Sequence, residues 1–277
     1  MAILRSDVVS RLKDLVRDYG DKIEIARVAL LLAQVEYPGE PIDPFLSHLE
    51  ELTNDLHTAG KGVNHIHDVT SVLSDVLFRF HGYVGDAETY DDIQNANLMR
   101  VIDRRKGLPV ALGILLIHMA RAQGWTISGL NFPGHFLLRI THKGEQVIID
   151  PFRKGRQLKL DNLSRLLVQI EKTDTKIQPQ HLKSVGDREI LLRLQNNIKT
   201  RLLETGDIEH ALAILETMSV ISPDNAGVIS ELAFLESRSG YLKQAERRLK
   251  LFVDLYRGHP DESEILTLLK NLKRHLN

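Results

Sequence analysis

Residues 107–152 read GLPVALGILLIHMARAQGWTISGLNFPGHFLLRITHKGEQVIIDPF, and this stretch decides the fold. Pro109 falls in the first turn of a helix, where its missing N–H costs no hydrogen bond, and the apolar run after it predicts a buried central helix reaching Gln123. Three short β-rich segments follow, the last two joined by the turn THKGE, and they predict a small antiparallel sheet. These segments are Trp125 to Phe132, Phe136 to Ile140 and Gln146 to Ile149.

The sequence on both sides of this stretch is predicted to be helical. In the first hundred residues, apolar side chains recur at helical spacing, and proline and glycine mark the turns between helices. A further helix is predicted after the sheet, and a polar linker after that helix. The marks are Val8, Leu12, Leu15, Val16 and Tyr19 for the first helix, Lys22 to Val35 for the second, Leu46, Leu49, Leu52 and Leu56 for the third, Asp68 to Phe80 for the fourth, Asp161 to Ile170 for the helix after the sheet and Thr173 to Gly186 for the linker.

The last third of the chain contains an internal repeat of 34 residues. Gly206 recurs as Gly240, Ala211 as Ala245 and Leu215 as Leu249. This period is typical of tetratricopeptide helix pairs, and two pairs are fewer than such arrays need to stand alone. We therefore expect a helix-rich first part, residues 1–186, and a repeat-like helical part, residues 187–277, that leans on it. The repeats either complete the core or form a concave surface for a partner.

The amino-acid composition excludes several classes of protein and of chemical site. The 277 residues are 43% hydrophobic and 26% charged with a net charge of −1, which is typical of a soluble globular protein. The N-terminus lacks the pattern of a signal peptide, and the longest apolar run is too short to cross a membrane, so we expect a cytoplasmic protein. The chain contains no cysteine, which excludes disulfides, thiolate metal sites and a cysteine nucleophile.

Charge is unevenly distributed along the chain. Residues 1–88 hold 15 acidic and 8 basic side chains, whereas residues 89–159 hold 5 acidic and 11 basic ones. Either the acidic part docks on the basic middle, or the basic middle binds an anionic partner. The near-neutral total and the lack of a basic stripe with interleaved aromatics argue against nucleic-acid binding. Glycines at phosphate-binding spacing are also missing, so no nucleotide cofactor is expected.

The residues that could carry chemistry lie in the middle of the chain. His135 is predicted to begin one strand and Asp150 to end the next, and adjacent antiparallel strands can bring such residues within hydrogen-bond reach. A carboxylate that orients an imidazole suits base catalysis. Taken alone, such a pair is more often structural than catalytic. A metal site is not predicted, because His118, His135, His142 and Asp150 show no short ligand spacing.

The ordered motifs YDDIQNANLMRVIDRRKGLPVALGILL, ARAQGW, GLNFPGHFLLR and IIDPF resemble the transglutaminase-like domain of the bacterial SirB-type family, which precedes tetratricopeptide repeats. The resemblance implies an α+β, mostly helical chain with a papain-like domain and a small antiparallel sheet. It also implies a cysteine at a helix start, a histidine on a strand and an aspartate on the next strand. His135 and Asp150 match the last two positions. The cysteine position falls on Pro109, or on Val110 if the register slips by one.

Neither residue at the cysteine position can act as a nucleophile, so any enzyme activity implied by the wider superfamily is in doubt. We expect a pseudoenzyme adaptor that binds a protein partner through its repeats and the vestigial cleft. The alternative is a hydrolase or amide-bond enzyme in which His135 activates water, oriented by Asp150, and Arg104 or Arg105 stabilises an anionic intermediate. In either case Asn97, Arg104 and Arg105 are expected to line a ligand cleft with the pair.

Overall fold

The structure is a computed structural model that describes residues 2–17, 23–172 and 176–276, and it is mostly helical with a small antiparallel sheet. The predicted positions Tyr19, Lys22 and Thr173 lie outside the described residues. The helices are α1 (Ala2–Arg17), α2 (Ile25–Glu36), α3 (Asp43–Ala59), α4 (Ile66–Ser74), α5 (Leu98–Arg104), α6 (Pro109–Ala122), α7 (Leu160–Glu171), α8 (Asp187–Glu204), α9 (Ile208–Ile221), α10 (Ala226–Arg238), α11 (Leu242–Leu255) and α12 (Glu262–Leu276). Shorter helical segments are a π-helix (Asp75–Phe80) that continues α4, and 3-10 turns at Ile93–Asn95, Pro151–Arg153 and Pro179–Leu182.

The main sheet has five strands in the order β6, β5, β4, β3, β7, and all neighbours are antiparallel. Lys143 and Gly144, both with positive φ, form the predicted turn between β4 and β5. The segment predicted as a polar linker contributes β7 and is thus partly sheet. The bounds are β1 (Val84–Gly85), β2 (Lys106–Gly107), β3 (Thr126–Leu130), β4 (Leu137–His142), β5 (Glu145–Asp150), β6 (Arg156–Leu158) and β7 (Ser184–Val185), with β1 and β2 pairing in parallel.

Helix α6 is the central element, as its sequence predicts. Pro109 is its first residue, and almost every side chain along it is buried. Gly113 allows α6 to pack closely on Phe136, because a Cβ at position 113 would lie 2.4 Å from Cε1 of Phe136. The helix also contacts the Pro151–Arg153 turn. Helix α6 therefore packs against the segments that carry His135 and Asp150.

The C-terminal helices form two pairs, α8 with α9 and α10 with α11, and the second helices of the two pairs begin 34 residues apart, at Ile208 and Leu242. Gly206 and Gly240, both with positive φ, lie in the turns within the pairs, and Ala211 and Ala245 are fully buried. The main hydrophobic core continues past residue 186 into α8 and α9, while α10 to α12 build a smaller core of their own. The first helix pair is thus part of the body of the protein.

Acidic residues of the first part pair with basic residues of the middle. Arg100 forms an ion pair with Glu40, and Arg104 approaches the buried Asp86 with Nη2 3.1 Å from Oδ2. These contacts agree with docking of the acidic part on the basic middle. Among the described residues, no helix combines the length and the apolar character that crossing a membrane would require.

Candidate functional site

His135 lies in a turn, two residues before β4 begins at Leu137. The prediction that it begins the strand was wrong by this margin, because Pro133 cannot donate to a ladder and Gly134 turns the chain with a φ of +61°. The neighbouring Phe136 is buried against Gly113 of α6. The imidazole is consequently held at the start of the strand by packing on the central helix.

Asp150 ends β5 as predicted, and it also caps the turn that follows. Its Oδ1 accepts hydrogen bonds from the backbone N–H groups of Phe152, at 2.9 Å, and Arg153, at 3.3 Å. The side chain is 2% exposed. The backbone therefore fixes this carboxylate whether or not a histidine is present.

The structure brings His135 and Asp150 together. Nε2 of His135 lies 3.0 Å from Oδ1 of Asp150, yet the angle falls short of a hydrogen bond, so this buried Nε2 has no hydrogen-bond partner in the described part of the chain. Since Oδ1 already accepts two N–H groups, we describe the contact as electrostatic. The imidazole is 15% exposed. With Nε2 turned to the carboxylate, Nδ1 is the ring nitrogen left to act as a base.

Pro109 occupies the helix start where the resemblance places the cysteine. It lies one helical turn before Gly113, on the face of α6 that packs toward Phe136. It is buried, and its ring has neither a nucleophilic atom nor a proton to donate. The arrangement thus contains a base and a carboxylate beside it, with an inert side chain at the third position.

Asn97, Arg104 and Arg105 do not join the pair; each is engaged elsewhere. Asn97 is buried, caps α5 by accepting from Arg100 N–H, and donates to Glu36 Oε1 at 3.1 Å. The grouping predicted from the sequence fails because the start of α5 faces α2 and not the sheet. Burial raises the pKa of Glu36 to about 7, against the lowering effects of Asn97 and Arg100.

Arg104 forms hydrogen bonds with two buried side chains in the segment before α5. Its guanidinium bonds Oδ1 of Asn95 and Oδ2 of Asp86, at 3.1 Å each. Burial of Asp86 would raise its pKa, but hydrogen bonds from Thr89 and Asn95 and the charge of Lys106 together outweigh this effect, and the pKa falls to about 2. Arg104 is therefore a structural partner of an ionised carboxylate and not a free anion ligand.

Arg105 reaches a cluster that the sequence analysis did not predict. It ends α5 in a left-handed conformation, and its Nη1 contacts the Tyr83 hydroxyl and Nε2 of His48. His48 in turn bonds Glu51, and His81 bonds Asp55. His48, Glu51 and Asp55 recur on one face of α3, a pattern that the sequence does contain. The approach of His81 to that face could not be seen, because it depends on the π-helix.

Comparison with known proteins agrees with the transglutaminase-like part of the resemblance. The family described as the transglutaminase-like superfamily matches residues 43–196. A UPF0162 protein of Vibrio cholerae is 31% identical over 219 residues, covering 78% of this chain and 80% of that protein. Another, from Xylella fastidiosa, is 28% identical over 251 residues, covering 86% and 89%. Human F-box only protein 21 is 30% identical over 109 residues, covering 36% of this chain and 17% of that protein.

Proposed function

Because the chain belongs to the transglutaminase-like superfamily, together with the bacterial UPF0162 proteins, we propose that it is a cysteine-less pseudoenzyme that binds a protein partner. The observation that carries the proposal is the pairing of His135 with Asp150, together with the inert Pro109 at the start of the helix that packs on Phe136. Acyl transfer through a covalent intermediate needs a nucleophile within reach of the base. This site retains the base without the nucleophile.

The pair has a structural use that explains its presence without catalysis. Asp150 fixes the 3-10 turn through Phe152 and Arg153, and His135 gives the buried carboxylate a polar neighbour. A buried carboxylate left without such partners is costly. Asp150 therefore has a use in the fold that does not depend on turnover, with His135 as its polar neighbour.

The C-terminal helices supply the surface that supports partner binding. Several large apolar side chains are at least 45% exposed on α10, α11 and α12 and in the turn before α11: Phe234, Tyr241, Leu251, Leu255 and Leu266. Leu251 and Leu255 also line a cavity of about 480 Å³ that reaches Val16 of α1. Exposed apolar patches commonly mark protein interaction sites. We propose that residues 187–277 act as the tetratricopeptide-like binding part and residues 1–186 as its support.

Quantitative affinity capture with the full chain tests the proposal. Truncation near Gly186 is unsuitable, because α8 and α9 belong to the main core. The variants are Leu251→Asp with Leu255→Asp on the proposed surface, His135→Ala at the pair, and Leu160→Asp as a control, since Leu160 is 65% exposed on α7. We expect a specific partner to be lost only with the double aspartate variant.

Three results would contradict all or part of this proposal. Capture of the same proteins by every variant would mean that the apolar surface binds nothing specific. Hydrolysis of ester or amide substrates by the wild type that disappears in His135→Ala would favour the alternative, in which His135 activates water. Loss of partner with His135→Ala alone, with folding intact, would place the binding site at the cleft and not on the repeats.

A further inference from the structure

We propose that His48, Glu51 and His81 bind a divalent transition-metal ion of the zinc class. One ligand atom from each residue lies within 4.8 Å of the others, and in the described part of the chain this is the only such group of three or more. Imidazole nitrogen and carboxylate oxygen are donors that Zn²⁺ prefers, at about 2.0 to 2.2 Å from the ion. Small movements of side chains would thus bring the three atoms to coordination distance.

The backbone places these donors through two elements. His48 and Glu51 are three residues apart in α3, so they project from the same face of the helix. His81 follows directly on the π-helix Asp75–Phe80, and its N–H bonds the carbonyl of Val76. Single π-helical turns inside helices frequently occur at functional sites. The rings of His48 and His81 meet with their centroids 5.5 Å apart.

Outer partners hold both imidazoles in the orientation that a metal site requires. Nε2 of His81 lies 2.8 Å from Oδ2 of Asp55, and Nε2 of His48 lies 3.0 Å from the hydroxyl of the buried Tyr83. Metal-binding histidines usually engage a carboxylate or another polar group with the nitrogen that does not face the ion. In both residues this arrangement leaves Nδ1 for the metal.

The cluster is reachable from solvent. Glu51 is 58% exposed, whereas the histidine side chains are 9% and 6% exposed. Asp55, the partner of His81, also lines a cavity of about 600 Å³ together with Phe80, whose side chain is 73% exposed. Three protein donors leave a position on a tetrahedral ion for water or an anionic ligand.

Arg105 provides a signature that distinguishes a metal site from a simple polar network. Without metal, Nε2 of His48 accepts from Nη1 of Arg105, and Nδ1–H donates to Glu51 at 2.6 Å. A metal on Nδ1 moves the ring proton to Nε2, which then donates to Tyr83 and can no longer accept from Arg105. The guanidinium charge also repels the ion. Removal of Arg105 should therefore strengthen metal binding.

The test is calorimetric titration of the metal-stripped full chain with Zn²⁺, together with Co²⁺ absorption as a readout of coordination. We expect one equivalent to bind to the wild type. Affinity should fall by at least about 10-fold in His48→Ala, His81→Ala and Glu51→Gln, and rise in Arg105→Gln. His57→Ala is the matched control, because His57 also lies on α3 but bonds Gln123 instead.

Glu51→Gln keeps the proposal falsifiable if a histidine variant unfolds, because this exposed side chain can change without disturbing the core. A wild type without saturable binding would overturn the proposal. So would equal affinity in the wild type and Glu51→Gln, or weaker binding in Arg105→Gln. A loss in His57→Ala as large as in His48→Ala would show adventitious binding to surface histidines.

Discussion

Two groupings of histidine and carboxylate differ in how the fold holds them. In the pair formed by His135 and Asp150, the carboxylate is buried and its Oδ1 is committed to two backbone N–H groups. In the cluster of His48, Glu51 and His81, the carboxylate is exposed and bonds only a side chain. If the proposed function holds, the residues that match the superfamily motif act as a structural joint. The proposed metal ligands lie on α3 and directly after the π-helix, and none of them is His135 or Asp150.

The largest expected effect separates the two carboxylates. Asp150→Ala leaves two backbone N–H groups without their acceptor and removes the carboxylate beside His135, so we expect a loss of about 3 kcal/mol in the free energy of unfolding. Glu51→Ala should cost less than about 1 kcal/mol, because an exposed ion pair contributes little. Urea unfolding of both variants measures the contrast. Equal losses in the two variants would mean that the buried Asp150 and the exposed Glu51 contribute equally to stability.

The pKa of Glu36 sharpens the comparison. Glu36 accepts a hydrogen bond from Asn97, so its titration tests whether this pair lies in the helical core and not in the cleft. The pKa of Glu36 is raised from 4.5 to about 7, chiefly by burial, so the folded state holds a proton more tightly than the unfolded state. The unfolding free energy should therefore fall as the pH rises from about 4.5 to 7, by at most about 3 kcal/mol.

Glu36→Gln should abolish that loss and leave the variant more stable than the wild type at pH 8. The measurement is urea unfolding of both proteins between pH 5 and 8, which spans the titration of Glu36. Parallel pH profiles in the two proteins would mean that Glu36 is not held protonated by its contacts in the fold.

A third prediction concerns only the proposed metal site. If His48, Glu51 and His81 bind zinc, an ion concentration of about 100 times Kd should stabilise the wild type by about 2.7 kcal/mol. Thermal unfolding with and without Zn²⁺ measures this shift. Glu51→Gln should respond far less, whereas Asp150→Asn should respond as the wild type does. A zinc response that depends on Asp150 and not on Glu51 would reverse the comparison.

The smallest expected effect is that of His135→Ala. Nε2 of His135 makes no hydrogen bond and Asp150 keeps its backbone donors, so removing the imidazole should lower the free energy of unfolding by at most about 1 kcal/mol. Partner capture should be unchanged once folding is verified by circular dichroism. A variant as stable as the wild type would show that the 3.0 Å contact contributes nothing to the fold.

Much of the fold could be predicted because it follows from local patterns. The proline at the start of α6, the turn at Lys143 and Gly144, and the 34-residue recurrence of Gly206 as Gly240 each act within one or two elements. Strands β6 and β7 were missed because three and two residues are too few to show an alternating pattern. Their presence depends on the neighbours with which they pair.

The candidate site could be predicted only in part. His135 and Asp150 were brought together as expected, because a hairpin fixes their neighbourhood. The partners of Asn97 and Arg105 could not be read from the sequence, since a polar side chain in a basic segment does not reveal which element it faces. The approach of His48 to His81 depends on a π-helix, which leaves no periodic signal in the sequence.

The most direct test of the central claim is to restore a thiol at the position of the missing nucleophile. Pro109→Cys would place the sole cysteine of the chain at a helix start, where a nearby imidazole lowers a thiol pKa. The measurement is the pH dependence of thiolate absorbance and alkylation in Pro109→Cys, in Pro109→Cys with His135→Ala, and in an exposed Leu160→Cys control. We predict a thiol pKa well below that of the control, which rises when His135 is removed. A thiol pKa at or above the control value that does not depend on His135 would contradict the assignment of Pro109 to the nucleophile position.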